Sequence, residues 1–249
     1  MRIQHQLGAD ITFAFDECTT LMNTRDYQER SVDRTQRWAE RCLAEHHRLT
    51  LDAGGKGSYQ ALFGVIQGAQ YEDLRRRAVR GLESLRAAGR GFDGYGIGGA
   101  LEKENLGTIV GWCSEELPED KPRHLLGISE PDDVFTAIEN GADTFDCVSP
   151  TRVARNSAVY HPDGRFNVSV AACRRAFEPI DADCDCYTCA HYTRAYLHHL
   201  FKAHEMLACT LATIHNERFI VRLVDDIRAS IENETFDEFE AAFLGRYYA

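Results

Sequence analysis

The chain has 249 residues, 44% of them hydrophobic, with 39 acidic against 28 basic side chains and a formal net charge of −11. This supplies a core for one large α/β domain or two modest ones, and no apolar run is long enough to span a membrane. The charge excludes a protein that coats nucleic acid nonspecifically, yet residues 151–175 hold Arg152, Arg155, Arg165, Arg174 and Arg175 against Asp163 alone, a local balance of five minus one, or +4.

In chain order, Met1-Arg2-Ile3-Gln4-His5-Gln6 has no basic segment leading into an apolar run, so no export signal or anchor is expected. A recurring theme follows: a short apolar run, a polar or glycine stop, then an amphipathic helix. Ile11-Thr12-Phe13-Ala14-Phe15 ends at Asp16, Ala61-Leu62-Phe63-Gly64-Val65-Ile66 at Gln67-Gly68, and Tyr95-Gly96-Ile97 at Gly98-Gly99. His124-Leu125-Leu126 ends at Gly127 and Thr144-Phe145 at Asp146. Between these runs, Leu74, Ala78, Leu82 and Leu85 recur at helical spacing, as do Leu106, Ile109, Val110 and Cys113. A further helix starts at Pro131 and closes at Gly141, with proline and glycine at the ends they favour. Five strand-then-helix units in series predict a parallel sheet, doubly wound or closed into a (β/α) barrel. The residues after His215 read as helical and acidic.

In a barrel the chemistry sits where strands end. That face gathers Asp16, Cys18, Gln67, Gly98, Gly99, Gly127 and Asp146, suited to hydrogen-bonding a flat heterocycle and attacking with an acid. Any one of these acids alone would read as a helix N-cap; their recurrence at strand ends favours a site. Two motifs are discounted. The glycines of Gly94-x-Gly96-x2-Gly99 lie in a predicted strand and at its end, whereas a dinucleotide fingerprint follows one. Ala53-Gly54-Gly55-Lys56-Gly57-Ser58 lacks the Gly-Lys-Ser/Thr order of a phosphate loop.

Cys184, Cys186 and Cys189 crowd one knuckle, and with a histidine they make a Cys3His set suited to tetrahedral zinc. Spacing leaves the fourth ligand open among His215, His191, His198, His199, His204 and Cys209. Nine cysteines, an odd number at no disulfide-framework spacing, point to a reduced cytoplasm.

Phe15-Asp16-Glu17-Cys18-Thr19, Gly64-Val65-Ile66-Gln67-Gly68, Gly98-Gly99, Phe145-Asp146-Cys147-Val148-Ser149-Pro150-Thr151-Arg152 and the cysteine knuckle resemble, in order, bacterial-type tRNA-guanine transglycosylase, a queuine tRNA-ribosyltransferase. The resemblance runs from about residue 2 to the C-terminus. It implies a (β/α)8 TIM-type barrel, N-terminally truncated to about five βα units over residues 1–170, with a zinc-binding subdomain over 171–249. It implies a pentosyltransferase that exchanges guanine at wobble position 34 of GUN-anticodon tRNAs for a 7-deazaguanine, preQ1 or queuine, in queuosine modification. By resemblance Asp146 is the nucleophile of a covalent aspartyl-ribosyl intermediate, and Asp16, Cys18, Gln67, Gly98 and Gly99 bind the base. Gly127, Ile128, Ser129, Glu130, Pro131, Asp132 and Asp133, with Thr151, Arg152, Val153, Ala154 and Arg155, match RNA-contacting stretches. Cys184, Cys186, Cys189 and His215 become the ligands of one structural Zn2+, and a cytoplasmic homodimer using the zinc subdomain is expected.

The loop after Gly98-Gly99, Ala100 to Asn105, is about three residues shorter than in bacterial members, which leaves preQ1 or queuine open. The family's general acid/base aspartate falls in the N-terminal part with no counterpart in these residues, so the chain alone is expected to be inactive. The rival is a noncatalytic zinc-stabilised RNA-binding or partner subunit, against which the intact Phe-Asp-Cys-Val context of Asp146 argues. The archaeosine branch carries added C-terminal RNA-binding domains, for which the 34 residues after His215 leave no room.

Overall fold

The structure is a computed structural model that describes residues 1–52, 59–128 and 130–249. The glycine-rich run 53–58 and Ser129 lie outside the described residues. The chain divides into two compact units, Met1–Ile128 with Thr136–Asp146, and Ser129–Phe135 with Cys147–Ala249.

In the first unit, β1 (Ile11–Phe13), β2 (Ala61–Ile66), β3 (Gly94–Ile97), β4 (Arg123–Leu125) and β5 (Thr144–Phe145) form one sheet in sequence order, every neighbour parallel. A short α1 (Arg2–Leu7) precedes β1, and α2 (Arg25–Asp52), α3 (Glu72–Ser84), α4 (Leu106–Ser114) and α5 (Pro131–Glu139) connect successive strands. The result is a curled five-stranded parallel half-barrel, the (β/α) architecture expected from the strand-then-helix series. β2 and β3 carry near-continuous buried residues because helices cover such sheets. Leu74, Ala78, Val79 and Leu82 of α3 and Leu106, Ile109, Val110 and Cys113 of α4 are buried as well.

Three local details differ from the periodic reading. Leu85 lies just past α3 in an extended conformation (φ −72°, ψ 134°), because the helix stops at Ser84. β1 stops at Phe13; Ala14 still donates to the Phe63 carbonyl at 2.9 Å, but the Phe15 amide turns to Cys42 Sγ at 3.4 Å. β4 ends at Leu125 and includes Arg123. Gly94 sits within β3, where a Cβ would come within 2.5 Å of the Phe63 ring, so it serves packing. Among the described residues β1 pairs only with β2 and β5 only with β4, leaving two sheet edges.

The second unit begins with α6 (Ser149–Arg155) and an antiparallel hairpin of β6 (Ala158–Val159) and β7 (Phe166–Asn167). Helices α7 (Tyr187–His191), α8 (Arg194–Lys202), α9 (Met206–Glu232) and α10 (Phe236–Tyr247) follow. Ala154, Val159, Val168, Ile180, Leu197, Leu211 and Ala212 make its core. The aromatic face of α10 packs Phe236, Phe239 and Phe243 around Phe135, with ring centroids 5.7–5.9 Å apart. Among the described residues no helix is long and apolar enough to cross a membrane.

Candidate active site and metal centre

Parallel strands in sequence order put the residues after each C-terminal end on one edge of the sheet, and there lie Asp16, Gln67, Gly98, Gly99, Gly127 and Asp146. The Asp16 loop is held by α2, whose exposed length hides a polar inner face. Thr35 accepts from the Glu17 amide at 3.0 Å, Gln28 donates to the Thr20 carbonyl at 2.9 Å, and Arg34 pairs with Glu17. Asp16 Oδ2 accepts from Gln67 Nε2 at 2.6 Å. Burial pushes the Asp16 carboxyl above the usual aspartate range, the Gln67 hydrogen bond opposing it only in part.

Gln67 is 1% exposed, and its Oε1 has no hydrogen-bond partner among the described residues. A Cβ on Gly99 (φ +86°) would lie 2.6 Å from that oxygen, so only glycine leaves the carboxamide room. Beneath the loops lies Arg75, wholly buried, its Nε donating to the Ala69 carbonyl at 2.8 Å and Nη1 to the Gly98 carbonyl at 2.6 Å and the Ile66 carbonyl at 3.2 Å. One guanidinium thus ties the ends of β2 and β3 together and fixes Gln67 against Gly98-Gly99. Its signal in the sequence was an arginine in line with Ala78, Val79 and Leu82 on the apolar face of α3.

Asp146 follows β5 with its carboxylate exposed. Its Oδ1 accepts from the Gly127 amide at 3.2 Å and from His124 Nε2 at 3.1 Å, while His124 Nδ1 hydrogen-bonds with the Thr144 hydroxyl at 2.8 Å. His124 also packs on the Phe13 ring, with centroids 5.3 Å apart. One oxygen of Asp146 is thereby oriented, leaving Oδ2 unengaged by these groups. The sequence reading missed His124; its signal is strand alternation, since it pairs in register with Thr144, two residues before Asp146.

The other expected residues are distributed as follows. Cys18 is exposed, its thiol 3.8 Å from the Thr19 carbonyl. Ile128 is buried, Glu130 pairs with Arg165 at 3.0 Å, and Pro131, Asp132 and Asp133 open α5, where Asp132 accepts from the Tyr248 hydroxyl at 2.8 Å. Thr151–Arg155 lies in α6, with Arg152 and Arg155 exposed, Thr151 and Val153 half-buried and Ala154 in the core.

Cys184, Cys186, Cys189 and His215 converge, their ligand atoms within 4.8 Å of one another. His215 Nδ1 lies 3.6, 3.7 and 3.3 Å from the Sγ atoms of Cys184, Cys186 and Cys189. The sulfur-to-nitrogen edge of a tetrahedral zinc site is about 3.6 Å from its bond lengths, so the set fits such an ion. The Tyr160 carbonyl, 2.8 Å from His215 Nε2, can only accept, which fixes the proton on Nε2 and turns the Nδ1 lone pair to the thiols. Cys186 caps α7 and accepts from the Cys189 amide at 3.3 Å. Hydrogen bonds with Cys184 and Cys189 pull the Cys186 thiol down, and those with Cys184 and Cys186 push Cys189 up. One turn along α9, Arg218 clamps Asp185 at 2.7 and 3.0 Å, and Arg222 donates to the Asp183 carbonyl at 2.8 Å. The remaining candidates lie outside the cluster: His198 bonds the Val168 carbonyl at 3.0 Å, and His191 packs on Tyr187.

The family model for queuine tRNA-ribosyltransferase matches residues 1–249. A queuine tRNA-ribosyltransferase of Bacillus subtilis is 43% identical over 250 residues, covering 99% of this chain and 62% of that protein. The Symbiobacterium thermophilum protein of the same name is 44% identical over 99% of this chain and 59% of its own length. A putative queuine tRNA-ribosyltransferase of Archaeoglobus fulgidus is 44% identical over 98% of this chain and 60% of its own. The chain therefore spans about three fifths of the length of these curated relatives. With the knuckle and strand-end residues in the family's order and the match running from first residue to last, the chain belongs to the queuine tRNA-ribosyltransferase family.

Proposed function

We propose that this chain carries the base-reading and nucleophilic parts of a tRNA-guanine transglycosylase, which exchanges guanine at wobble position 34 of GUN-anticodon tRNAs for a 7-deazaguanine. The observation that carries this reading is the Asp16–Gln67 pair beside Gly99, with a buried carboxamide oxygen lacking a partner, on the sheet edge that also bears Asp146. Asp16 accepts from the ring N–H and exocyclic amine of the base, and Gln67 Oε1 gains a donor. A base lacking those groups leaves buried polar atoms unpaired and is rejected.

An oxygen of Asp146 attacks ribose C1′ through an oxocarbenium-like transition state as the C1′–N9 bond breaks and the electron pair leaves with guanine. The incoming base, preQ1 or queuine, gives up its N9 proton, which balances the proton taken up by the departing guanine, and displaces the aspartate, so two inversions retain configuration. The single-stranded anticodon loop lets the nucleotide unstack at little cost. Zinc at Cys184, Cys186, Cys189 and His215 is structural, since protein supplies all four ligands. A cytoplasmic setting suits both the tRNA substrate and the free thiols. A homodimer through the zinc subdomain is supported by the aromatic cluster of Tyr187, Tyr192 and Tyr196 beside the knuckle, with centroids 5.8 and 5.3 Å apart.

The test is incorporation of labelled guanine into tRNA. Expressed as these 249 residues alone, the chain is expected to be inactive or nearly so and to self-associate. General acid/base help contributes about 10²- to 10⁴-fold, and the family's residue for it has no counterpart here. The edges at β1 and β5 carry unpaired backbone groups, with Ile11 and Phe15 52% and 55% exposed. A monodisperse monomer that exchanges at the rate of a full-length relative would contradict this.

Base affinity should also depend on pH. The ionised Asp16 does the accepting, and its pKa is raised, so affinity falls on acidification already above the usual aspartate range. Asp16→Asn should bind the base roughly tenfold to a hundredfold more weakly, the worth of a hydrogen bond to a charged group, and lose that pH dependence. Calorimetric titration with guanine at several pH values reads both; equal curves for the two proteins would exclude Asp16 as the acceptor.

A further inference from the structure

The proposed exchange leaves Arg75 without a task. It is wholly buried, on the face of α3 that also carries Ala78, Val79 and Leu82. Its partners among the described residues are three backbone carbonyls and no carboxylate, and Nη2 has none. A buried cation without an acidic partner costs stability, and an apolar side chain would serve packing better at this position. The guanidinium therefore has a use beyond holding the fold.

All three carbonyls lie where β2 and β3 end. Nη1 donates to the Gly98 carbonyl at 2.6 Å and to the Ile66 carbonyl at 3.2 Å, and Nε donates to Ala69 at 2.8 Å. Ala69 stands at φ +50°, a left-handed conformation that a residue with a Cβ keeps only where its surroundings fix it. A trans peptide is planar, so its N–H points opposite to its C=O. With the Gly98 carbonyl turned down to the guanidinium, the Gly99 N–H is turned away from it. That N–H makes no hydrogen bond among the described residues, and Gly99 is only half-buried. Beside it lies the Gln67 carboxamide, whose Oε1 would be 2.6 Å from a Cβ on Gly99. A cation at the carbonyl end of a peptide also polarises it, which makes the N–H a stronger donor.

We propose that Arg75 is a positioning residue for base selection: by fixing and polarising the Gly98–Gly99 peptide, it aims the Gly99 N–H at the 6-oxygen of the bound base. The proposal rests on the transglycosylase reading and deepens it. Guanine offers a carbonyl oxygen at this position where adenine offers an amine, so an N–H fixed there attracts one and repels the other. When the C1′–N9 bond breaks, the electron pair left on the base spreads through its rings to that oxygen. A donor backed by a buried cation meets the growing charge.

Calorimetric titration of the 249-residue chain with guanine and with 6-thioguanine tests it. The two bases give Asp16 the same N–H and amine and differ in the acceptor, since sulfur takes a hydrogen bond more weakly than oxygen. The wild-type chain should prefer guanine by about tenfold, and Arg75→Met should lower guanine affinity by about as much and bring the two bases together. Arg75→Lys keeps a charged donor beneath the peptide, so it should retain a preference of about threefold, and it stands in where Arg75→Met does not fold. If the wild-type chain does not distinguish the bases, or the variant keeps the full wild-type ratio because both bases weaken alike, Arg75 is a structural residue only and the proposal is overturned. The transglycosylase reading then stands as long as Asp16→Asn weakens guanine binding. If Asp16→Asn leaves guanine binding unchanged, that reading fails and the proposal fails with it.

Discussion

Asp146→Asn, made in a protein extended to the length of its relatives, is expected to lower base exchange by on the order of 10⁴-fold or more and to abolish the covalent RNA adduct. The carboxamide has nearly the same shape, and its oxygen can still accept from the Gly127 amide and His124 Nε2, which lie 3.2 and 3.1 Å from Oδ1. Fold and RNA binding should therefore persist. In the proposed mechanism, what is lost is the negative charge on the attacking oxygen and the ability to form the ester to C1′. Trapping the wild-type adduct with a nonreacting base analogue and resolving it under denaturing conditions gives the readout. His124→Ala should act in the same direction but less, lowering kcat with little change in the KM for the base, because it orients Oδ1 without touching the base pocket. An Asp146→Asn protein that forms adduct at the wild-type rate would displace the nucleophile from this position.

With zinc held by the Cys3His cluster as proposed, removing the metal is expected to unfold much of the second unit. Structural zinc in small domains contributes about 10–16 kcal/mol of apparent binding free energy, as large as the roughly 5–15 kcal/mol net stability of a typical domain. Without the ion, three thiols and an imidazole nitrogen remain crowded within 4.8 Å of one another. The damage should spread along α9. His215 and its neighbour Asn216 grip the segment after β5, His215 through the Tyr160 carbonyl at 2.8 Å and Asn216 through the carbonyls of Pro150 and Ala158, both at 3.0 Å. The helix bearing Thr151–Arg155 should thus lose protection from hydrogen exchange together with the knuckle. Chelation at neutral pH, followed by hydrogen exchange and metal analysis, tests this. Cys186→Ser should copy the effect, whereas Cys209→Ser, outside the cluster, should keep one zinc per chain; a Cys186→Ser protein with full metal content and unchanged protection would rule the site out.

Sequence by itself determined the order and nature of the elements in the first unit. Alternation of apolar runs with helical periodicity is a local signal, and parallel strands buried on both faces leave it strong in β2 and β3. It also placed the strand-end residues, because a run that stops at a polar residue marks where a βα loop begins. The cysteine knuckle was legible for the same reason: its three thiols lie within six residues.

Contacts between distant segments were decided only by the tertiary structure. Spacing left the fourth member of the cysteine cluster open, and the fold brings His215 within 4.8 Å of the thiols, with the Tyr160 carbonyl, 55 residues away in sequence, fixing its tautomer. Arg75 looks like one of three surface arginines until Gly98, 23 residues on, supplies the carbonyl that makes its burial tolerable. His124 acquires a role only through the β4–β5 register, which sets it beside Thr144 and within reach of Asp146. Periodicity reports which face a residue occupies, whereas hydrogen bonding and charge pairing depend on what the fold brings opposite it.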